Sequence, residues 1–254
     1  MIRLDRFLTE QNIASRSECN TFCKKGQIKI DGMICKDHGM KIDPENAIVE
    51  VKGIQVKPFT LRCYMMNKPV GVVSAVTDER DRTVISLLKE PDAGSFFPVG
   101  RLDKDSEGLL LLTNDGQLCH NLTSPKKHIP KTYEVWITGK LTPEDIRHLQ
   151  SGTDIGDKTP CLPATVRIME ETDAYSLTEE QKQKLPKNTP DIIAASRVEI
   201  TITEGRFHQV KRMFHANRHE VFSLKRLRIG GVFLDPSLAP GEYRLLTADE
   251  RGLL

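Results

Sequence analysis

Nowhere in the 254 residues do the roughly 18 consecutive apolar side chains needed to cross a bilayer run together. Residues 1–6, Met-Ile-Arg-Leu-Asp-Arg, carry no apolar signal core, so a soluble, cytoplasmic protein without membrane contact is expected. Net charge is also small: 37 Lys+Arg against 35 Asp+Glu leave +2, and bulk charge alone announces no polyanionic partner. The six cysteines, at 19, 23, 35, 63, 119 and 161, lack the density of a disulfide scaffold and read as reduced thiols. Cys19 and Cys23 lie four apart on an expected helix, but no second Cys or His pair sits nearby at zinc spacing, so no metal site is expected. Stability must then come from packing, and this length suffices for one large domain or two modest ones. Nothing in the sequence suggests an obligate dimer, and a monomer is expected.

The distribution of charge says more than its sum. Between Arg197 and Gly231 stand eight basic residues (Arg197, Arg206, Lys211, Arg212, Arg218, Lys225, Arg226, Arg228) against three acidic ones (Glu199, Glu204, Glu220), a local excess of five. A phosphate backbone would find its footprint there, although a solvated basic face accounts for the same charges.

The first 58 residues read as a helix pair followed by a hairpin. Leu4, Phe7 and Leu8 repeat at helical spacing, and Ser15 with Glu18 forms a capping-box signal for a second helix ending at Gly26. Ile28 and Ile30 then alternate with Lys29, Asp31-Gly32 supplies a tight turn, and Ile48, Val49 and Val51 suggest further strands. The helices carry Arg3, Arg6, Arg16, Lys24 and Lys25. This stretch resembles the S4 RNA-binding domain, and the resemblance implies that these five cations contact structured RNA.

Lys57-Pro58, inside Val56–Leu61, reads as a linker, and a second domain is expected over residues 62–254. Strand signals dominate it: Leu109–Leu112 closing on an Asn114-Asp115-Gly116 turn, Tyr133/Val135/Ile137, and Val198/Ile200/Ile202. Helices are expected at Thr142-Pro143-Glu144-Asp145 and over Phe207–Ala216, the latter burying Val210, Met213 and Phe214. The mixture fits an α+β domain around a mostly antiparallel sheet with flanking helices. Glu170–Pro190, polar and aperiodic with two prolines, reads as a flexible inserted loop.

The sharpest chemical signal is Gly100-Arg101-Leu102-Asp103-Lys104-Asp105-Ser106-Glu107-Gly108, a polar loop feeding the apolar run at Leu109. By residue type alone, Asp103, Asp105 and Glu107 fit a divalent-cation loop, a glycosidase-like carboxylate pair or a solvated turn. However, Arg101-Leu102-Asp103 followed by Gly108-Leu109-Leu110 and Thr113 resembles the catalytic motif of the pseudouridine synthases. Asn67-Lys68-Pro69-x-Gly71, Lys131-Thr132-Tyr133 and Glu204-Gly205-Arg206-Phe207-His208-Gln209-Val210-Lys211-Arg212-Met213 resemble three further motifs of that family, in its order.

The resemblance implies an RNA-modifying isomerase that uses no cofactor. Asp103 is then the catalytic carboxylate, as nucleophile or base. Lys211 stands where many synthases carry an arginine that pairs with that aspartate, with Arg212 as competitor, and Tyr133 is the ring that stacks on the extruded uracil. A Tyr alternating with Val135 and Ile137 also reads as core. Arg101, Arg206 and Arg212 are RNA-binding candidates, Lys68 and Pro69 shape their strand, and His208 and Gln209 fix the start of a helix. The closing run Arg228-Ile229-Gly230-Gly231 through Arg244 is most similar to the branch acting on bacterial small-subunit (16S) ribosomal RNA, which makes that RNA, within a pre-ribosomal small-subunit particle, the expected partner. Three other readings remain: a large-subunit (23S) RNA synthase, a non-catalytic S4-domain ribosome-assembly factor, and a metal-dependent nuclease or glycosyltransferase using Asp103 and Asp105.

Overall fold

The computed structural model of the chain describes residues 1–11, 13–44, 46–56, 61–186 and 194–254. It divides into two compact units, Met1–Leu61 and Arg62–Leu254. The expected Lys57-Pro58 linker lies outside the described residues.

The first unit runs β1 (Ile2–Arg3), α1 (Leu4–Glu10), α2 (Arg16–Lys24), β2 (Ile28–Ile30), β3 (Met33–Ile34), β4 (Lys41–Ile42), β5 (Val49–Val51) and β6 (Ile54–Val56). Leu4, Phe7 and Leu8 of α1 are buried against Cys19 and Cys23 of α2 and against Ile28, Ile30, Val49 and Val51 of the sheet, which has the order β3-β2-β5-β6. Ser15 caps α2 through a full capping box with Glu18. Asp31 and Gly32 both take left-handed backbone, φ 50° and 81°, as a two-residue hairpin requires. In the first turn of α1, Asp5 accepts bonds from Arg3 and from the Arg6 amide. The Arg3 bond, with help from that amide and against the cost of burial, holds the Asp5 carboxyl down to about 2.

The second unit is an α+β body. Its order is β7 (Cys63–Lys68), β8 (Phe97–Pro98), β9 (Glu107–Thr113), α3 (Gly116–Thr123), β10 (Lys131–Thr138), α4 (Pro143–Ser151), β11 (Thr165–Asp173), α5 (Glu179–Lys184), β12 (Ala194–Ile202), α6 (Gln209–Ala216), β13 (Val221–Ile229), β14 (Val232–Phe233), β15 (Tyr243–Leu245) and α7 (Ala248–Gly252). Among the described residues, nine strands form one sheet along β11-β12-β10-β13-β9-β7-β15, with β14 added to β13 and β8 to β9. Its pairings are antiparallel except β9 with β13, which run parallel. Both faces of the central strands are covered, which is why β9 reads Leu-Leu-Leu-Leu without alternation. Leu110 and Leu112 pack with Tyr133, Val135, Ile137 and α6, whereas Leu109 and Leu111 pack on the other side with Met65, Leu122 and Ile229.

The chain leaves β9 at Asn114-Asp115-Gly116, as expected of a turn there, and enters α3 directly, the Asp115 carboxylate capping the amides of Gln117 and Leu118. One expectation fails. The flexible loop expected over Glu170–Pro190 carries, in its described residues 170–186, a strand and a helix. Its first residues complete β11, which pairs antiparallel with β12 from Thr165↔Thr201 to Asp173↔Ala194. As an edge strand mostly facing solvent, β11 is held by main-chain bonds and leaves little apolar signal. Thr178 and Gln181 then form a capping box on α5, and Leu177 and Leu185 pack with Trp136, Ala195 and Phe222. Residues 187–193 lie outside the described residues.

Gly108 is where the polar loop enters β9 and meets β13. A Cβ there would stand 2.4 Å from the Arg226 carbonyl oxygen and 2.8 Å from its nitrogen, at φ +100°. Gly108→Ala is therefore expected to destabilise this unit by about 3–5 kcal/mol, through clash and backbone strain together. Denaturant unfolding measures it, and a midpoint equal to that of the native sequence contradicts the close approach.

Candidate active site

The loop from Arg101 to Ser106 is pinned from beneath. Leu102 is buried, and Ser74 both donates to its carbonyl (2.8 Å) and accepts from its amide (3.0 Å). The Gly71 amide donates to the Lys104 carbonyl at 2.7 Å. At the end of β7 the wholly buried Lys68 aims its ammonium at three carbonyls, those of Ser106 (2.7 Å), Asp103 (3.0 Å) and Pro69 (3.0 Å). Burial pushes the Lys68 ammonium down to about 8, although the carboxylates of Asp105, Asp103 and Glu107 oppose the shift. Its function is thus to fix the loop's backbone, a contact spanning 38 residues that a sequence pattern does not reveal.

This clamp presents the Asp103 carboxylate to α6. Oδ2 lies 3.1 Å from Lys211 Nζ and Oδ1 lies 3.3 Å from His208 Nε2. Lys211 also meets Asp105 Oδ1 at 2.5 Å. Burial raises the Asp105 carboxyl, but the Lys211 bond and charge outweigh it, and the net shift is downward. Glu107 turns elsewhere, 3.6 Å from Lys184. The three acids of the loop do not converge on one point, and the cation between Asp103 and Asp105 is an ammonium.

Arg212 does not reach Asp103. Its guanidinium binds the Asp157 carboxylate, the Ile155 carbonyl and the Phe207 carbonyl. Arg206 binds Glu204, Asp157 and the carbonyls of Thr159 and Pro160. Both arginines, expected to contact RNA, brace the 155–160 loop against the start of α6. The basic run 197–231 is correspondingly not one free surface: Arg197 pairs with Glu134 and Glu170, and Arg226 is buried with Nε on the Leu109 carbonyl. Arg101 is exposed and lines the cleft in front of Asp103.

His208 and Gln209 divide. Gln209 fixes the helix start as expected, accepting from the Arg206 amide and donating to Glu204 at 2.6 Å. His208 occupies the cap position with left-handed backbone and makes no capping bond, because its ring turns to Asp103. In the first unit Arg3 pairs with Asp5 and Arg6 with Glu10, while Arg16, Lys24 and Lys25 are exposed.

Asp103, Tyr133, Lys131, Arg101 and His208 line one cleft of about 570 Å³, within the roughly 300–1,000 Å³ usual for small-molecule sites. Tyr133 is both core and cleft: its ring is 7% exposed, packs with Leu110 and Ile200, and forms part of the wall. Lys131, on the same strand, is pushed down by burial and by the charge of Arg226. A compensated carboxylate in an open cleft, with an aromatic wall and cations behind it, can act on an electron-poor carbon or a proton of a polar ligand while the ring holds a flat group.

Comparison with known proteins gives the family. The model of the RNA pseudouridylate synthase family matches residues 62–216, and that of the S4 domain matches residues 2–48. An uncharacterized RNA pseudouridine synthase of Bacillus subtilis, YtzG, is 45% identical over 100% of this chain and 98% of its own. Ribosomal small subunit pseudouridine synthase A of Vibrio cholerae is 36% identical over 98% of this chain and 97% of its own, and the Escherichia coli protein of the same name 34% over 98% of each. A crystal structure of a pseudouridylate synthase superposes with a TM-score of 0.65 at 34% identity, covering 100% of this chain and 99% of that one.

Lys211→Met leaves Asp103 and Asp105 facing each other without their shared cation. Turnover is expected to fall by about 10–100-fold, with Lys211→Arg recovering most of it. Single-turnover rates on the substrate RNA measure this, and native turnover in the Met variant rules out a role for the pair.

Proposed function

The chain belongs to the RNA pseudouridylate synthase family, and on that premise we propose that it isomerises one uridine of small-subunit ribosomal RNA, with Asp103 acting on the ribose. The observation that carries the reading is the Asp103–Lys211 pair at 3.1 Å, with the Asp103 backbone held by the Lys68 clamp and Asp103 itself lining the cleft.

The reaction breaks the bond between uracil N1 and ribose C1′ and joins C5 to C1′. The proton on C5 leaves and N1 gains one, so that no atom is added overall. A carboxylate is chemically sufficient, either bonding to the sugar or removing a ribose proton, and no redox group or Lewis acid is required by the balance. Lys211 sets a positive charge 3.1 Å from the Asp103 carboxylate in a half-buried site, where an unpaired charge is costly. Tyr133 holds the uracil by its face, offsetting the few kcal/mol spent on extruding the base; stacking of this kind contributes about 1–3 kcal/mol.

The full-length relatives named for the ribosomal small subunit support that RNA as target. The S4 unit supports a grip on folded RNA through its exposed Arg16, Lys24 and Lys25, and a pre-ribosomal small-subunit particle is the form in which the protein meets its substrate. The cytoplasm is the proposed location of such work. Among the described residues, no helix is long and apolar enough to cross a membrane.

Incubation of the purified protein with unmodified small- and large-subunit ribosomal RNA, followed by pseudouridine mapping, tests the proposal. One new pseudouridine in the small-subunit RNA is expected, and Asp103→Asn should lower its rate by roughly 10³-fold or more while RNA binding persists. Modification of large-subunit RNA alone overturns the target assignment, and native turnover by Asp103→Asn overturns the role of the carboxylate. Replacing Arg16, Lys24 and Lys25 together by Ala should weaken RNA binding and reduce the slope of log K against log salt by about 2–3. An unchanged slope removes these cations from the interface.

A further inference from the structure

We infer that Phe207 is the platform on which a base flanking the isomerised uridine stacks, an assignment that rests on the synthase reading and adds a second base-holding ring to it. Phe207 is 68% exposed, yet it lines the same cleft as Asp103 and Tyr133. It belongs to none of the apolar clusters of the catalytic unit. A single exposed apolar side chain needs no explanation in itself. The orientation of this one does.

One face of the ring is stacked on His208, with centroids 3.9 Å apart and planes inclined by 15°. His208 is held in turn by Asp103 at 3.3 Å, and its backbone takes the left-handed conformation (φ 47°) that L side chains adopt rarely. The Phe207 carbonyl accepts from Arg212 at 3.2 Å, and Arg212 is anchored on Asp157. A strained backbone, a stacked neighbour and a braced carbonyl thus present the free face of an aromatic ring to solvent at the rim of the cleft. A polar side chain in the same position would be better solvated, so the arrangement costs solubility unless something flat covers the ring.

The cleft already has an inner ring, Tyr133, which is nearly buried. A uridine drawn towards it leaves the neighbouring nucleotides short of one stacking partner. The open face of Phe207 replaces that partner, and the exposed Arg101 on the same cleft is placed to meet the intervening phosphate. Stacking on an aromatic face tolerates any base, so this contact sets the geometry of the strand and not its sequence.

The test uses the full-length protein and a small-subunit RNA fragment containing the mapped uridine, with 2-aminopurine placed in turn on either side of it. Binding of the native protein is expected to quench the probe at one flanking position. Phe207→Ala and Phe207→Leu should abolish that quench and lower kcat/KM by about tenfold, equivalent to ~1.4 kcal/mol and carried mainly by KM. Phe207→Trp should restore both readouts, while matched melting temperatures exclude unfolding. If the Ala and Leu variants keep native quenching and native KM, the inference is overturned although the isomerase reading stands. If the native protein forms no pseudouridine in any ribosomal RNA, the isomerase reading falls, and this inference with it.

Discussion

A lysine ammonium without access to water holds the centre of this molecule together. Lys68 ends β7 inside the sheet and spends its donors on the carbonyls of Pro69, Asp103 and Ser106. A buried cation is costly unless its protons are taken up, and carbonyl oxygens of a tight loop take them up without the charge cancellation that a carboxylate would bring. The loop is therefore held onto the strand by its backbone, and the clamp uses none of its carboxylates. Asp103 is available to α6 because the clamp uses its carbonyl and leaves its carboxylate.

From that constraint the rest of the site follows in order. With the loop fixed at 103–106, the chain must turn into β9 immediately, and it does so at Gly108, against the backbone of Arg226. That contact is the single parallel pairing of the sheet, β9 with β13, and it brings β10, which carries Tyr133 beside β13, to within one strand of the loop. Helix α6 then packs Val210, Met213 and Phe214 onto the same face, and the positions between its apolar residues deliver Lys211 to Asp103. The cleft is walled by that loop, by β10 and β13, by the first turn of α6 and by the segments 73–75, 122–125 and 202–207 around them.

How far this was legible in the sequence depended on the range of each contact. Elements whose cause is local could be read: the Ser15–Glu18 box, the Asp31-Gly32 turn, the apolar face of α6, the alternation around Tyr133. Elements held by distant partners could not. Nothing near Lys68 announces three carbonyls, two of them beyond residue 100, and nothing near Arg206 or Arg212 announces the bonds that both make to Asp157. Strand β11 was hidden for a different reason. An edge strand is specified by the hydrogen bonds of its neighbour, and a polar sequence is permitted there. Asp103 stands out only through resemblance to a family, since residue type alone leaves a metal loop, a carboxylate pair and a solvated turn open.

The lysine at 211 has a consequence of its own. Guanidinium would offer a planar fork and engage one carboxylate along two bonds; an ammonium is a point charge and can sit between two. Here it does so, with Asp103 at 3.1 Å and Asp105 at 2.5 Å. Asp105 is largely exposed whereas Asp103 faces the cleft, so the two compete for one cation from different dielectric surroundings. A ligand that enters the cleft and excludes water strengthens the inner pair relative to the outer one, because screening falls where solvent is displaced. The ammonium of Lys211 is in this way shared between a carboxylate that faces the cleft and one that faces solvent, an arrangement that a planar guanidinium fork would not offer.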